Sequence, residues 1–157
     1  MLFGNVTEFG PQAHRFIRSL DKQYQIVALA ETHVAEQNLA RWGATLQADG
    51  WKLAATAAPP TLRSAAGTHG GEWILSRKAL ATTTFEGQRK SWLSTGVDMF
   101  VGFCLMILHL RSGNLVVIAT YWLPGDGILG ANTERVRSLS SFVMSLADPW
   151  VVLKQKR

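Results

Sequence analysis

The sequence has little cysteine, little charge and no long hydrophobic run. Cys104 is the one cysteine in 157 residues, which excludes an internal disulfide and a metal site built from cysteines. No window is both apolar and long enough to cross a bilayer, which takes about 20 residues. Residues 1–10 have no cationic start and no long apolar stretch, so we expect no secretory signal. We therefore expect a globular, intracellular chain of a reducing compartment, with no membrane span.

What the sequence does have is the apolar content of one folded domain. Hydrophobic residues make up 47% of it and charged residues 17%, which excludes disorder as the main state. A net charge of +5, from 16 Lys and Arg against 11 Asp and Glu, favours a partner such as nucleic acid or a phosphorylated substrate. The basic residues are scattered, however, and ordinary solvated faces explain most of them.

The hydrophobic pattern alternates between helix and strand periodicity, with no internal repeat. One helix is predicted to begin at Pro11, with one apolar face formed by Ala13, Phe16, Ile17 and Leu20. Two others are predicted to run through Leu39, Trp42 and Leu46 and to follow Asn132. Strands are predicted at 26–30, 51–56, 72–76, 100–110, 115–122 and 150–153, and those flanking a turn at 111–114 form the clearest hairpin pattern. The stretch 57–68 is rich in Ala, Pro, Ser and Gly and is predicted to be a loop. This order favours an α/β layer arrangement.

Polar residues at predicted strand ends are candidates for chemistry, because such residues converge at one edge of a sheet. Glu31 directly follows the apolar run 26–30 and is either a capping or surface acid or a ligand for a hard cation. Asn5 lies near another predicted strand end, where asparagine is most often a turn residue. Tyr121 lies late in the strand before Pro124, a position usual for a core or edge tyrosine.

Four stretches, in this order, resemble the endonuclease/exonuclease/phosphatase superfamily, whose members are divalent-metal phosphodiesterases. Residues 5–7 (Asn-Val-Thr) resemble its opening strand, which carries a metal-site asparagine. Residues 26–33 resemble the strand that ends in the ligand glutamate, with Ala30 where Gln is common. Residues 70–77 resemble the double-glycine strand, and residues 116–124 resemble the strand that ends in tyrosine before a proline-containing loop. The resemblance spans nearly the whole chain.

The resemblance implies an α/β fold, part of a two-sheet β-sandwich with flanking helices in a four-layer α-β-β-α arrangement, over residues 1–157. It implies that Asn5 and Glu31 help to hold a Mg²⁺ or Mn²⁺ ion, weakly, and that Tyr121 contacts the scissile phosphate. His33 follows the glutamate and is a candidate for phosphate contact, with a capping or edge histidine as the alternative.

The sequence also departs from the superfamily pattern near its end. After its last helix the superfamily continues an apolar strand into Gly-Asp-x-Asn, whereas here residues 150–153 are followed by Lys-Gln-Lys-Arg. The later Ser-Asp-His motif, which supplies the histidine base, is absent, and no histidine matches its position among His14, His33, His69 and His109. The sequence therefore predicts a truncated metal-dependent phosphodiesterase-like domain with little or no activity, the second half of the sandwich being incomplete.

A second hypothesis is a non-catalytic nucleic-acid-binding or protein-interaction module on the same scaffold. A sheet face left uncovered by the missing half is expected to pair with another chain, so self-association is a predicted property.

Overall fold

The structure is a computed structural model, and it describes residues 1–20, 22–58, 60–61, 64–68, 70–84 and 103–120, with helical residues 133, 136, 137, 139–141 and 144. The chain divides into two compact units, Met1–Tyr121 and Trp122–Arg157. The sheets and the two helices described below belong to the first unit. In the described part of the chain, no helix has the length and apolar character needed to span a membrane.

Eleven elements of the first unit are described, in the order β1 (Leu2–Asn5), α1 (Pro11–Ser19), β2 (Ile26–Ala30), α2 (Glu36–Ala48), β3 (Trp51–Ala55), β4 (Pro60–Thr61), β5 (Ser64–Thr68), β6 (Trp73–Arg77), β7 (Thr82–Thr84), β8 (Phe103–Leu110) and β9 (Gly113–Thr120). One sheet has the order β1-β2-β6-β3, with β1 parallel to β2 and the other pairs antiparallel. A second sheet, β7-β8-β9, is antiparallel, and β4 pairs with β5.

The four-stranded sheet is covered on both faces, which is why β2 consists of five buried apolar residues. On one face, Val27 and Leu29 pack in a cluster with Ile17 of α1 and Leu46 of α2. On the other face, a second cluster joins this sheet to β8 and β9 through Ile26, Ala28, Ala54, Ile74, Cys104, Met106, Leu108, Val117 and Ala119. The fold is therefore mixed α/β, with helices, a four-stranded sheet and a three-stranded sheet in successive layers.

Most of the predicted elements are confirmed. Both early helices and the strands at 26–30, 51–56 and 72–76 occur within about a residue of the expected bounds. The hairpin is confirmed too, although its turn is tighter than predicted, with Arg111 and Ser112 alone between the strands. Gly113 has φ +140°, a conformation that suits glycine at such a turn. The described residues between 133 and 144 are helical, as expected.

Three expectations were wrong or incomplete. The stretch 57–68 is not all loop, because β4 and β5 form a short antiparallel pair within it. Strand β7 was not predicted, since three threonines give no apolar alternation. Phe16, which its spacing places on the same apolar face of α1 as Ile17, is exposed, whereas Ile17 is buried in the core as predicted. The predicted strand 150–153 lies outside the described residues.

Candidate functional site

Three strands of the larger sheet end, and β6 begins, on one side of the sheet. We call this row of strand termini the rim and define it by Asn5, Glu31, Thr56 and Glu72. The parallel register places Asn5 of β1 beside Ala30 of β2, so Asn5 and Glu31 close neighbouring strands. β6 runs in the opposite direction, so Glu72, just before it, comes next along the rim. The backbone N–H of Thr56, after β3, donates to the Glu72 carbonyl at 2.8 Å and completes the row.

Asn5 and Glu31 are in direct contact across the parallel pair. Asn5 Nδ2 donates to Glu31 Oε2 at 2.8 Å, and the Thr7 backbone N–H donates to Asn5 Oδ1 at 3.0 Å. A backbone N–H requires an acceptor, so the second contact assigns the oxygen of the Asn5 amide and leaves its nitrogen for the carboxylate. The structure thus brings together the two residues predicted as metal ligands.

The backbone around this contact is strained. Thr7, Glu31 and His33 have φ values of +55°, +56° and +54°, in the left-handed region that residues other than glycine seldom occupy. Each such residue costs on the order of 1 kcal/mol or more and persists only where its surroundings hold it. Backbone hydrogen bonds supply that restraint, from Val6 N to Ala30 O, Phe9 N to Thr32 O, Thr32 N to Gly71 O and His33 N to Gly70 O. Strain of this kind clusters at functional sites.

The two glycines before β6 allow this close approach of backbones. Gly71 has φ +87°, and a Cβ atom there would lie 2.5 Å from Thr32 Oγ1 and 3.2 Å from the Ala58 backbone nitrogen. Thr32 is fully buried, and its hydroxyl has no hydrogen-bond partner among the described residues. The double glycine therefore has a steric role, since it seats the start of β6 against residues 31–33.

His33 is anchored to β5 rather than to the Asn5–Glu31 pair. Its Nδ1 lies 2.6 Å from the Thr68 carbonyl oxygen, and Thr68 Oγ1 donates to the His33 carbonyl at 2.8 Å. A carbonyl oxygen only accepts, so Nδ1 carries the proton in the neutral ring and Nε2 holds the lone pair.

The remaining predicted residues lie elsewhere. Tyr121 and His69 fall outside the described residues. His14 of α1 contacts the Asp49 carboxylate at 2.6 Å, between the two helices. His109 of β8 bridges Thr83 Oγ1 at 2.8 Å and Asn114 Oδ1 at 2.9 Å on an exposed face of the smaller sheet.

Sequence reasoning missed Glu72 as a rim residue. It is 2% exposed, its backbone N–H donates to Thr56 Oγ1 at 3.0 Å, and that hydroxyl donates to Glu72 Oε2. The pKa of the nearby Cys104 thiol is raised to about 12, chiefly by burial and to a smaller degree by the negative charge of Glu72, while a backbone hydrogen bond at Ile74 offsets part of the rise. Cys104 is therefore a protonated core residue and not a nucleophile. For Glu72, the available signal in the sequence was a glutamate directly after two glycines and before an apolar strand.

The donor set at the rim suits one hydrated hard cation. Among the described residues, no three His, Cys, Asp or Glu side chains converge on a point. Glu31 is partly exposed and Asn5 is exposed, so one carboxylate and one amide oxygen are within reach of solvent. Mg²⁺ binds through one or two carboxylates and keeps several of its waters. These two residues therefore fit a weakly held, largely hydrated ion.

Comparison with known proteins assigns no family. No family model matches the chain, and no curated protein matches it either.

Proposed function

We propose that this chain carries the cation-binding part of a metal-dependent phosphodiesterase domain of the endonuclease/exonuclease/phosphatase type. The observation that carries the proposal is the 2.8 Å contact between Asn5 Nδ2 and Glu31 Oε2 across the parallel strands β1 and β2. The stretches that resemble the superfamily put its metal-site asparagine and glutamate at these same two positions. The strained backbone around Glu31 and His33 also supports a functional role for this edge of the sheet.

Glu31 is the principal ligand in this proposal. Its Oε2 is held by Asn5, which orients the carboxylate, and its Oε1 has no hydrogen-bond partner among the described residues. Asn5 Oδ1 accepts one hydrogen bond from Thr7 and retains a second lone pair for the ion. A bound Mg²⁺ or Mn²⁺ would neutralise charge on a phosphate group and orient an attacking water.

Two further residues belong to the proposal with substrate roles. Tyr121, the residue after β9, would contact the scissile phosphate. His33 would contact a phosphate oxygen through Nε2, because its Nδ1 is already engaged with the Thr68 carbonyl.

The proposed architecture is the four-layer α-β-β-α sandwich. Three of its layers correspond to the helices and the two packed sheets. The fourth layer is what the resemblance to the superfamily implies.

Cleavage by this chain is proposed to be very weak. The superfamily's Gly-Asp-x-Asn and Ser-Asp-His motifs have no counterpart in residues 1–157, so the chain has no matching group to orient or deprotonate the attacking water. Grafting a superfamily-type continuation in place of residues 154–157 should restore Mg²⁺-dependent cleavage. Glu31→Gln in that chimera should lower cleavage by on the order of a hundredfold, as expected when charge stabilisation is lost.

Calorimetric titration with MgCl₂ and MnCl₂ tests the cation site directly. We expect weak binding by the wild-type chain, loss of binding in Glu31→Gln, and wild-type binding in the control Glu8→Gln. Glu8 is an exposed carboxylate of the loop between β1 and α1, and its substitution matches the change in charge. Tight binding that survives Glu31→Gln would contradict the assignment of Glu31.

The second candidate function is nucleic-acid binding without cleavage, which the net charge of +5 favours. Electrophoretic mobility shifts with short DNA and RNA across a salt series test it. Affinity that falls steeply with salt supports contact with the phosphate backbone. The absence of any shift at low salt would remove this candidate.

A further inference from the structure

A hydroxyl, an imidazole and an amide form a chain of hydrogen bonds across the smaller sheet. Thr83 Oγ1 of β7 lies 2.8 Å from His109 Nε2 of β8, and His109 Nδ1 lies 2.9 Å from Asn114 Oδ1 of β9. An amide oxygen only accepts, so Nδ1 carries the proton of the neutral ring and the Thr83 hydroxyl donates to the lone pair of Nε2. A hydroxyl beside a base that a third group orients is the arrangement that activates nucleophiles in enzymes.

The pairing of the three strands places these side chains on one face of the sheet. Asn114 is directly opposite His109, and Thr83 is opposite Ile107, two positions before His109 on β8. Met106 packs against the larger sheet, and successive side chains of a strand point to opposite faces. The hydroxyl, the imidazole and the amide therefore all lie on the face that is directed away from the larger sheet.

We infer that Thr83 accepts an acyl group from a small activated ester or thioester, with His109 as its general base and Asn114 as a positioning residue. His109 Nε2 takes the hydroxyl proton while Thr83 Oγ1 attacks the acyl carbonyl carbon. An ester bond to Oγ1 forms, and the bond to the leaving group breaks, with its electron pair going to the leaving group. His109 then passes the proton to the leaving group or to water, which restores the neutral ring.

The surroundings of the Thr83 hydroxyl favour an acyl group as the substrate. Ile107 lies opposite Thr83, and Val116, which is 38% exposed, lies opposite Ile107 on the same face. The apolar part of a small acyl group can lie on these two side chains with its carbonyl carbon at the hydroxyl. His109 is exposed and Thr83 is half-buried, so the site is reached from solvent. This inference does not depend on the proposed function, because none of these residues belongs to the rim.

The two other threonines of β7 provide a matched comparison within the same strand. Thr82 and Thr84 are half-buried, as Thr83 is. They lie opposite residues of β8 that pack against the larger sheet, so their side chains are on the other face of the strand from His109. The three hydroxyls thus share their chemistry and their strand, and they differ in the contact with the histidine.

Acetylation of the full chain with p-nitrophenyl acetate, located by tandem mass spectrometry, tests the inference. We expect Thr83 to be acetylated about tenfold or more faster than Thr82 and Thr84, because general-base catalysis contributes at least that much. His109→Gln keeps a hydrogen-bonding side chain without a base and should reduce acetylation of Thr83 to the level of the other two. Equal acetylation of the three threonines, or no effect of His109→Gln, would overturn the inference.

Substitutions of Asn114 separate a positioning role from a merely structural one. Asn114→Ala removes the acceptor that holds the His109 ring in its base-ready tautomer, so acetylation of Thr83 should fall several-fold. Asn114→Asp should raise it above the wild-type rate, because a carboxylate stabilises the imidazolium that forms when Nε2 takes the proton. Thermal unfolding checks that both variants are folded. Folded variants that acetylate Thr83 at the wild-type rate would contradict the assigned order of hydroxyl, imidazole and amide.

Discussion

At the rim, three residues other than glycine have left-handed backbone conformations, and a web of cross-strand hydrogen bonds holds them. In the smaller sheet, the 8 residues of β9 form a regular strand, and Leu115 and Val116 reach solvent. The rim therefore depends on close contacts between distant parts of the chain, whereas the smaller sheet is built on one local hairpin. Substitutions at the rim should accordingly cost more folding free energy than chemically similar substitutions in the smaller sheet.

Gly71→Ala should give the largest effect. Its Cβ would meet Thr32 Oγ1 and the Ala58 backbone at a positive φ, and we expect a loss of about 3 kcal/mol or more in the free energy of unfolding. Gly113→Ala in the smaller sheet also has a positive φ but meets nothing within 4 Å, so only the backbone strain, about 1–2 kcal/mol, is expected. Urea denaturation of both variants checks the difference. Equal losses would show that backbone conformation alone, and not the contact with residue 32, makes Gly71 necessary.

Thr56→Val should come next. The substitution removes the hydroxyl that receives the Glu72 N–H and donates to the buried carboxylate, at a cost of about 2 kcal/mol. Thr83→Val removes a hydroxyl that contacts the exposed His109, where water can replace it, so its effect should stay within about 0.5 kcal/mol. Thermal and urea unfolding measure both changes. If Thr83→Val cost as much as Thr56→Val, burial would not be what distinguishes the two hydroxyl contacts.

The helices and β2 were predictable because their signals are local. Pro11 begins α1, Gly50 follows the end of α2, and an apolar run of five residues identifies β2. The apolar pattern placed Asn5 and Glu31 at strand ends, but only the resemblance to the superfamily joined them in one site, because the parallel pairing of β1 with β2 leaves no local signal in the sequence.

Other features depend on partners far along the chain. Glu72 is buried because β3 brings the Thr56 hydroxyl to it across 16 positions, and nothing beside Glu72 in the sequence marks that partner. Phe16 and Ile17 are adjacent on α1 and point in different directions, so the helix buries one of them, and tertiary packing selects Ile17.

The pH dependence of stability should show the contribution of Cys104 in the core between the sheets. In the unfolded chain the thiol ionises near its ordinary pKa of 9.0, whereas in the folded chain burial raises that pKa to about 12. The unfolded state therefore loses the proton first as pH rises, and the free energy of unfolding falls between these two pKa values. The slope is up to about 1.4 kcal/mol per pH unit.

Cys104→Ala isolates this contribution, because it removes the thiol and leaves the other titrating groups in place. Its stability should fall less steeply above pH 9 than that of the wild type. Urea denaturation at a series of pH values gives, for each protein, the change of the free energy of unfolding with pH. Because only these slopes are compared, a loss of stability from the smaller side chain that is the same at every pH does not affect the result. Parallel pH profiles would mean that the thiol ionises equally easily in both states.

Thr32→Val should have the smallest effect, with the opposite sign. Thr32 lies between Glu31 and His33 in the sequence. Its hydroxyl is buried and has no hydrogen-bond partner among the described residues. Valine keeps the shape of threonine and removes the unsatisfied polar atom, so we expect a gain of about 1 kcal/mol in the free energy of unfolding. Cation titration of the same variant sharpens the comparison between the rim and the smaller sheet. Wild-type binding combined with higher stability would place Thr32 among the packing residues of the rim. A loss of stability would instead show that the hydroxyl has a bonding role in the folded chain.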